Sequence, residues 1–345
     1  MSTFLLMDSL NAFFRAKHVV RGDTPEQKAA MALHVTFNII RKAWEKFDAD
    51  HVVFCLEGRS WRYEVYPQYK ASRKTARAEL TPEAQEEDKV FFAAFSEFAE
   101  FMREQTNVTI LNHELAEADD MIARWIATHP DDDHVIVSSD GDFVQLIDHN
   151  VKIFNGVKGV TIDSRGVLND KGKRVDFKVD NGGGIKVGKT LLKESDPMPV
   201  DEDWIEYALF TKCVRGDGGD GIFSSYPGCR QKGSSKKPGV IECFNDRHKQ
   251  GYDWFNFMNQ KWEDHHGKTR VVKEGYEQNQ LLIDLKMMPE ELKEAFDEYI
   301  EEQKQRDHVP QVGIHFLRFA NQYDLAALVK DPNSIVEMLN ARVPD

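Results

Sequence analysis

The 345-residue sequence lacks the features that mark several large classes of protein. No apolar run reaches the roughly 18 residues of a membrane-spanning helix, and no basic segment precedes the apolar patch at the amino terminus. Only four cysteines are present, and none forms a C-x-x-C pair. We therefore expect reduced, buried thiols rather than a disulfide framework or a zinc site, in a cytoplasmic protein without a membrane span.

The sequence also lacks the net positive charge that is typical of general polyanion binders. It has 45 Lys and Arg against 58 Asp and Glu, which gives a formal net charge of −13. Basic residues are concentrated in two islands, at 59–77 and 230–249. Such islands in an acidic protein predict a phosphate-bearing partner bound at defined places, although each island alone is equally typical of a solvated surface.

Short apolar runs alternate with longer helical patterns in the first half of the chain. This alternation is typical of an α/β fold in which a mainly parallel, Rossmann-like sheet is covered by helices on both faces. Four buried strands are predicted, with amphipathic helices between them. The predicted strands are 4–7, 51–56, 108–111 and 134–137, and the predicted helices are 26–47, 83–105 and 117–128.

The pattern changes after residue 150. Residues 151–193 alternate apolar and polar side chains around three glycines, 182–184, which predicts a β-rich excursion over about 151–195 with a hairpin turn. A proline-containing linker follows at 195–199, and from residue 201 the pattern is helical to the end of the chain. We therefore expect two domains, 1–200 and 201–345.

Acidic residues follow the predicted strands at matching positions. The carboxyl ends of parallel strands open into one crevice, so these side chains should converge there. Like charges at about 4 Å repel by several kcal/mol at an effective dielectric near 20, so cations must lie among them. An all-oxygen ligand set suits two Mg²⁺ or Mn²⁺ ions in a phosphoryl-transfer site. The acidic residues of this edge are Asp8, Glu57, Glu117, Asp119, Asp120, Asp140 and Asp142.

Each acidic residue also has a purely structural alternative. A single Asp after a strand is more often a turn or capping residue than a ligand, and acids in the first turn of a helix complement its dipole. The coincidence of four clusters at one sheet edge favours a metal site. A fifth cluster, with Asp217 and Asp220 among glycines, either completes the metal shell or forms an acidic turn.

The ordered motifs resemble those of the flap endonuclease and 5′-3′ exonuclease family, in particular its phage ribonuclease H members. The resemblance covers about residues 3–150 and 204–245. It implies a PIN-like nuclease domain with a helical arch at about 60–100, followed by a helix-three-turn-helix DNA-binding domain. The motifs are LMDSLN, FCLEG followed by YPQYKASR, then EADD, SSDGDF and RGDGGDG.

The resemblance implies a role for each candidate residue. The first metal ion would be held by Asp8, Glu57, Glu117 and Asp119 with Asp120 alongside, and the second by Asp140, Asp142 and Asp217 with Asp220 in support. Lys70 and Arg73 would contact the scissile phosphate from the base of the arch, and Asp8, Glu117 and Asp140 complete the catalytic set. Nucleic acid would be contacted by Tyr66, Tyr69, Lys70, Arg73, Lys74, Arg77, Arg230, Lys232, Lys236 and Lys237.

The activity implied is that of a Mg²⁺-dependent 5′ nuclease. It would trim DNA and RNA–DNA hybrid strands from a 5′ end, or cut flaps, by a two-metal-ion mechanism that leaves a 5′-phosphate and a 3′-hydroxyl. We expect a monomer in the cytoplasm, that of the host if the chain is phage-encoded, with a single-strand-binding protein or sliding clamp as candidate partners. Gly221 stands where the family commonly has Asn, which argues against a bound monovalent cation.

Two other interpretations are weaker. A non-catalytic, structure-specific DNA-binding protein on the same fold would not need so many acids, which repel phosphate when no metal is bound. Residues Gly183 to Thr190 fit the string G-x-x-x-x-G-K-[ST] of a nucleotide-binding P-loop, but a P-loop requires a long helix after the string. The flanking residues alternate as in a hairpin, so we interpret this segment as a hairpin.

Overall fold

A computed structural model of the chain describes residues 1–193, 196, 203–234, 237–264 and 266–344. The chain divides into two compact units. Unit 1 contains Met1–Trp61, Glu79–Gly172 and Pro289–Asp345, and unit 2 contains Arg62–Ala78 and Lys173–Met288. Within the described ranges, none of the helices combines the length and the apolar character needed to cross a membrane.

The chain up to residue 172 alternates strands and helices, as the sequence pattern predicts. A 3-10 helix, Asp142–Leu146, follows β4. The elements in chain order are β1 (Thr3–Asp8), α1 (Ser9–Val19), α2 (Pro25–Phe47), β2 (His51–Cys55), α3 (Arg62–Val65), α4 (Ala71–Ala78), α5 (Pro82–Gln105), β3 (Thr109–Leu111), α6 (Ala118–Thr128), β4 (Asp133–Val137), β5 (Val151–Asn155), β6 (Val160–Asp163) and β7 (Gly166–Leu168).

The remainder of the chain is mostly helical. A second 3-10 helix, Leu285–Met287, follows α10. The elements in chain order are β8 (Arg174–Val179), β9 (Ile185–Leu191), α7 (Trp204–Arg215), α8 (Val240–Asn245), α9 (Tyr252–Met258), β10 (Lys261–Glu263), β11 (Thr269–Val271), α10 (Val272–Ile283), α11 (Glu290–Lys304), α12 (Val312–Gln322), α13 (Ala326–Lys330) and α14 (Asn333–Asn340).

The sheet of unit 1 confirms the predicted mainly parallel arrangement. Its strands lie in the order β3-β2-β1-β4-β5-β6-β7. The central strand β1 runs parallel to both neighbours, with Leu6 opposite Val53 on β2 and Ile136 on β4. Strands β3 and β5 extend the parallel part, whereas β6 and β7 pair antiparallel. The nearly continuous burial of β1 and β2 is what a sheet covered on both faces requires.

The core of unit 1 contains aromatic side chains from both ends of the chain. The Phe37 ring on α2 lies 5.5 Å from that of Phe316 on α12, and the Phe101 ring on α5 stacks 4.4 Å from that of Phe319. Residues 289–345 therefore pack with the amino-terminal sheet. This differs from the expected boundary at residue 200, because the apolar stripe of α12 completes a core that begins in α2 and α5.

Unit 2 contains the predicted β-rich hairpin and an additional small one. Strands β8 and β9 pair antiparallel across the turn that holds Gly183, whose φ of 82° favours glycine. The P-loop-like string runs from this turn into β9, which supports the hairpin interpretation. The β10–β11 hairpin interrupts the helical pattern and was not predicted. Of the predicted linker at 195–199, only Asp196 lies within the described residues.

The buried His51 ring in unit 1 has a defined tautomer. His51 Nε2 accepts a hydrogen bond from the Thr109 backbone N–H at 3.2 Å, so the proton resides on Nδ1, which donates to the Ala341 carbonyl oxygen at 3.1 Å. Burial lowers the pKa of His51 from 6.5 to about 4. The neutral ring therefore links the start of β2 to β3 and to the carboxy-terminal segment.

We predict that His51 makes the fold sensitive to acid. The pKa of His51 is lower in the folded chain than in the unfolded chain. The neutral ring therefore contributes its full stabilisation to the fold above pH 6.5, and this contribution is lost as the pH falls towards 4. Between pH 7 and pH 5 the free energy of unfolding should fall by roughly 2 kcal/mol through this group. Urea unfolding at both pH values would measure the change. His51→Gln should show a smaller fall, and an equal fall in both proteins would contradict the prediction.

Candidate active site

Four neighbouring strands of unit 1 lead into acidic residues at their carboxyl ends. Asp8 is the last residue of β1, and Glu57 lies two residues beyond β2. Glu117 precedes α6, which follows β3, and Asp140 lies three residues beyond β4. Because β3, β2, β1 and β4 are adjacent and parallel, the structure brings these acids to one edge of the sheet, as predicted.

The side chain of Asp8 has a strongly raised pKa. Its side chain is buried, and the Ser138 hydroxyl donates a 2.7 Å hydrogen bond to Oδ2. Burial, followed by the negative charges of Glu57 and Asp140, raises the pKa of Asp8 to about 8, although the Ser138 hydrogen bond acts in the opposite direction. In the absence of a cation, this carboxyl would hold a proton at neutral pH.

A short backbone ladder fixes the segment that carries Glu57. The N–H groups of Gly58, Arg59 and Trp61 donate to the carbonyl oxygens of Ala116, Glu114 and Leu115 at 2.8, 2.7 and 2.9 Å. Gly58 is required for this close approach, because a Cβ there would lie 2.0 Å from the His113 carbonyl oxygen. The ladder therefore holds the residues after β2 against the residues before α6.

The same ladder brings Glu57 and Glu117 together. The Ala118 N–H at the start of α6 donates to Glu57 Oε2 at 3.4 Å, and the Ser60 hydroxyl donates to Glu117 Oε2 at 3.0 Å. Glu117 is buried. Each of these two carboxylates, which are distant in sequence, thus accepts a hydrogen bond from the segment that carries the other.

The EADD motif forms a compact group of carboxylates. One oxygen from each of Glu117, Asp119 and Asp120 lies within 4.8 Å of the others, which is the spacing of groups that share a metal ion. Asp120 also accepts a 3.0 Å hydrogen bond from the Glu117 N–H, so it caps α6 as well. The structural and metal-binding interpretations of this motif are therefore compatible.

The SSDGDF segment after β4 is ordered by side-chain contacts. The Asp140 N–H donates to the Ser138 hydroxyl at 3.0 Å, and the Asp142 N–H donates to Asp140 Oδ1 at 3.0 Å. The Ser139 hydroxyl donates to Asn11 Oδ1 at 2.8 Å. The positioning roles of Ser60, Ser138 and Asn11 were not predicted from the sequence, although Ser138 and Asn11 lie inside the SSDGDF and LMDSLN motifs.

The fifth acidic cluster lies in unit 2, where it has basic partners. Asp217 Oδ2 lies 2.8 Å from Lys212 Nζ, and Asp217 Oδ1 accepts the Gly219 N–H at 2.8 Å. Burial alone would raise the pKa of Asp217, but Lys212 and the turn amides bring it below its usual value. These contacts favour the acidic-turn interpretation for Asp217, and metal binding by Asp217 and Asp220 stays a prediction.

Asp220 instead contacts the predicted phosphate-binding residues. Its Oδ2 lies 3.9 Å from Lys70 Nζ and accepts the Tyr69 hydroxyl at 3.1 Å, and its Oδ1 pairs with the Arg73 guanidinium group. The Lys70 N–H donates to the Asp220 carbonyl oxygen at 2.7 Å, with Lys70 at a φ of 52°. Asp220 therefore positions Lys70 and Arg73 relative to each other.

The two tyrosines of this segment differ in exposure. Tyr69 is only 2% exposed and its ring packs 5.5 Å from that of Tyr63, so the structure favours a packing role for Tyr69 over contact with unpaired bases. Tyr66 is half-buried, and its hydroxyl donates to the Gly221 carbonyl oxygen at 3.3 Å. The physical reason for the difference is that Tyr69 fills a small core under Asp220.

Several of the other predicted nucleic-acid contacts are exposed. Arg77 on α4 is exposed, as are Arg230, Lys232 and Lys237 around the loop before α8. Glu242 Oε2 shapes that loop by accepting the N–H groups of Gly233 and Gly239, each at 2.8 Å. Lys236 lies outside the described residues, and of Lys74 the structure describes the backbone alone.

The donor set of unit 1 fits hard divalent cations. Among the described residues, the group of converging ligands around Glu117 contains only carboxylates, which suit Mg²⁺ or Mn²⁺ better than zinc. The pKa of Asp8 is raised mainly by burial and next by the negative charge of Glu57, and a bound cation would oppose both effects. A cation bound there would return Asp8 to its ionised form.

We predict that Gly58→Ala destabilises the fold at the acidic edge of the sheet. The added Cβ would overlap the His113 carbonyl oxygen, so the ladder that carries Glu57 must shift. Overpacking of this kind typically lowers the free energy of unfolding by about 1–3 kcal/mol. Chemical denaturation would measure the loss. Gly141→Ala is the matched control, because a Cβ at Gly141 meets no atom within 4 Å, and an equal effect of both substitutions would contradict the prediction.

Comparison of sequences relates the chain to known proteins. Residues 3–172 match the family of 5′-3′ exonuclease N-terminal, resolvase-like domains. A 5′-3′ exonuclease of Streptomyces coelicolor is 26% identical over 204 residues, which cover 56% of this chain and 66% of that protein. A flap endonuclease Xni of Aeromonas hydrophila is 31% identical over 157 residues, 43% of this chain and 54% of that protein. The chain thus matches about half to two thirds of the length of these curated relatives.

Comparison of structures gives the same relationship at the level of the fold. A bacteriophage T5 flap endonuclease, in a pseudo-enzyme-product complex with DNA and metal ions, superposes with a TM-score of 0.58 at 18% identity. The match covers 88% of this chain and 100% of the phage chain. A T5 5′-exonuclease with bound zinc ions gives 0.57 at 19% identity, covering 87% and 98% of the two chains.

Proposed function

We propose that this chain, which belongs to the flap endonuclease and 5′-3′ exonuclease family through residues 3–172, is a metal-dependent, structure-specific 5′ nuclease. The observation that carries the proposal is the convergence of acids on Asp8, whose burial and acidic neighbours raise its pKa to about 8. Repulsion within such a cluster of carboxylates destabilises a fold, and bound cations offset this repulsion. A protein that only bound DNA would be hindered by it.

Two divalent ions, Mg²⁺ or Mn²⁺, would be held by the carboxylates of unit 1. When bound, they supply Lewis acidity and charge neutralisation at the reacting phosphodiester. The Ser138 and Ser60 hydroxyls orient the Asp8 and Glu117 carboxylates, so the ligands are arranged before cations bind. We propose that Lys70 and Arg73 stabilise the charge that grows on the phosphate, and that Asp220 positions them.

The substrates we propose are DNA and RNA–DNA hybrid strands with a free 5′ end or a flap, hydrolysed to a 5′-phosphate and a 3′-hydroxyl. A related phage enzyme was crystallised with DNA and metal ions, which supports the substrate class. We further propose that the protein acts as a cytoplasmic monomer. A single-strand-binding protein or a sliding clamp is the proposed class of protein partner.

The proposal is tested with end-labelled flap, nicked and RNA–DNA hybrid substrates, incubated with and without Mg²⁺ or Mn²⁺. We expect cleavage that starts from the 5′ end or at the flap junction, that requires the metal, and that is abolished by a chelator. Absence of cleavage with either metal, together with tight and structure-specific binding, would overturn the proposal and favour a non-catalytic binding protein.

A separate prediction concerns the basic loop before α8. Lys232 and Lys237 are exposed, so replacing both by Glu should weaken duplex binding and flatten its dependence on salt concentration. The logarithmic slope should change by about 1 for each phosphate contact that is lost. Fluorescence anisotropy with a labelled duplex between low and moderate salt measures the slope. If the slope is unchanged, the loop is a solvated surface without a role in binding.

A further inference from the structure

Helix α9 presents two large aromatic side chains to solvent. Tyr252 is 70% exposed and Phe255 is 64% exposed, whereas Phe257 and Met258 on the same helix are buried. Residues three apart lie on one face of a helix, so Tyr252 and Phe255 form a stripe opposite the buried face. We call this pair the aromatic stripe.

The helix that carries the aromatic stripe is firmly anchored in unit 2. The Trp254 ring packs 6.1 Å from that of Phe210 and 6.0 Å from that of Tyr276 in the core. The Asn256 side chain donates to the Tyr252 carbonyl oxygen at 2.8 Å. The backbone that carries the stripe is therefore held in place before a ligand binds.

Exposed lysines flank the helix that carries the aromatic stripe. Exposed Lys249 precedes α9 and exposed Lys261 follows it, so a lysine lies beyond each end of the helix. Of the nearby acids, Asp246 accepts the Trp254 N–H at 3.0 Å and Asp264 accepts Arg270 Nε at 2.8 Å, so both are engaged within the protein, whereas Glu263 is exposed on β10. Half-buried Asp253 is the acid on the helix itself.

We propose that the aromatic stripe stacks on unpaired bases of single-stranded nucleic acid, with Lys249 and Lys261 contacting the flanking phosphates. Exposed rings next to lysines are the combination that sequence-independent single-strand binding uses, because every base offers a flat face. The proposal deepens the proposed nuclease function, on which it rests, by assigning a binding surface to the unpaired part of the substrate. A duplex would gain little from such rings, since its bases are already stacked.

The test compares binding of a single-stranded oligonucleotide to four proteins without divalent metal. The double variant Tyr252→Ala/Phe255→Ala should bind about 10-fold more weakly than the wild type or worse, with an unchanged salt slope because no charge is removed. The swap Tyr252→Phe/Phe255→Tyr should bind like the wild type. Leu191→Ala removes an apolar side chain that is 57% exposed elsewhere in unit 2, and it should bind like the wild type.

A direct readout of stacking uses 2-aminopurine in the oligonucleotide. Its fluorescence should be quenched on binding to the wild type and to the swap variant, and not on binding to the double alanine variant. Unchanged affinity and unchanged quenching in the double variant would overturn the proposal and leave the stripe as a surface for a protein partner. An equal loss for duplex DNA, or a loss in Leu191→Ala as well, would also overturn it.

The outcome can be separated from that of the nuclease proposal by assaying flap cleavage in parallel. If the wild type cleaves the flap and the double variant binds single strands normally, only the stacking surface fails. If the wild type never cleaves, the nuclease proposal fails, whatever the oligonucleotide does.

Discussion

Asp140→Asn should reduce metal-dependent cleavage by about 1,000-fold or more, the order expected when a preorganised electrostatic group is lost from a reaction centre. Asp140 lies at the sheet edge where its charge raises the pKa of Asp8, and its Oδ1 accepts the Asp142 N–H. Asparagine preserves the shape and can still accept that hydrogen bond, but it removes one negative charge from the proposed ligand set. Single-turnover cleavage of a labelled flap substrate at saturating enzyme would measure the loss.

The same substitution should leave DNA affinity unchanged or increase it when no divalent metal is present, because repulsion between the acids and phosphate is reduced. Asp170→Asn is the matched control, since it neutralises an exposed acid elsewhere in unit 1. We expect the control to cleave like the wild type. If Asp140→Asn retains cleavage within a few-fold of that control, the assignment of this edge as the reaction centre is contradicted.

Lys70→Ala should lower the single-turnover rate by about 100- to 1,000-fold with a much smaller effect on substrate affinity. The physical reason is that Lys70 would stabilise charge that develops on the phosphate in the transition state. Its ammonium group lies 3.9 Å from Asp220, which also pairs with Arg73, so the cation is held in place before substrate binds.

Controls for Lys70 separate its charge from its position. Lys178→Ala removes an exposed lysine of β8 in the same unit, and it should leave the rate unchanged. Lys70→Arg keeps the positive charge and should recover part of the activity. A wild-type rate in Lys70→Ala would remove this residue from the proposed catalytic set.

Much of unit 1 could be predicted from local sequence. The buried runs of β1 and β2 and the apolar stripe of α2 follow from periodicity alone, since parallel strands between helical layers have no solvent face. Helix α1 was missed because it begins directly after β1, without a side-chain cap or acidic first turn to mark its start. The packing of residues 289–345 on the first sheet was missed because it depends on contacts between distant parts of the chain.

The candidate site was predictable to the extent that topology alone positions it. Acids at the ends of adjacent parallel strands must converge, and Asp8 and Glu57 do so. The roles of Ser60 and Ser138 depend on hydroxyl contacts across 57 and 130 residues of sequence, which no local pattern contains. For Asp217, the sequence left two interpretations open, and the contacts with Lys212 and the Gly219 N–H favour the acidic turn, while metal binding stays a prediction.

The ladder between the residues after β2 and those before α6 has a consequence for how such a protein can diversify. Those hydrogen bonds are complete at Trp61, immediately before the chain passes into 62–78 and out of unit 1. Glu57 is thereby anchored before the segment 62–78, and Glu117 is anchored after it. Changes within 62–78 that spare Lys70 and Arg73 would alter the proposed nucleic-acid contacts there, while the acids proposed to hold the metal ions keep their spacing.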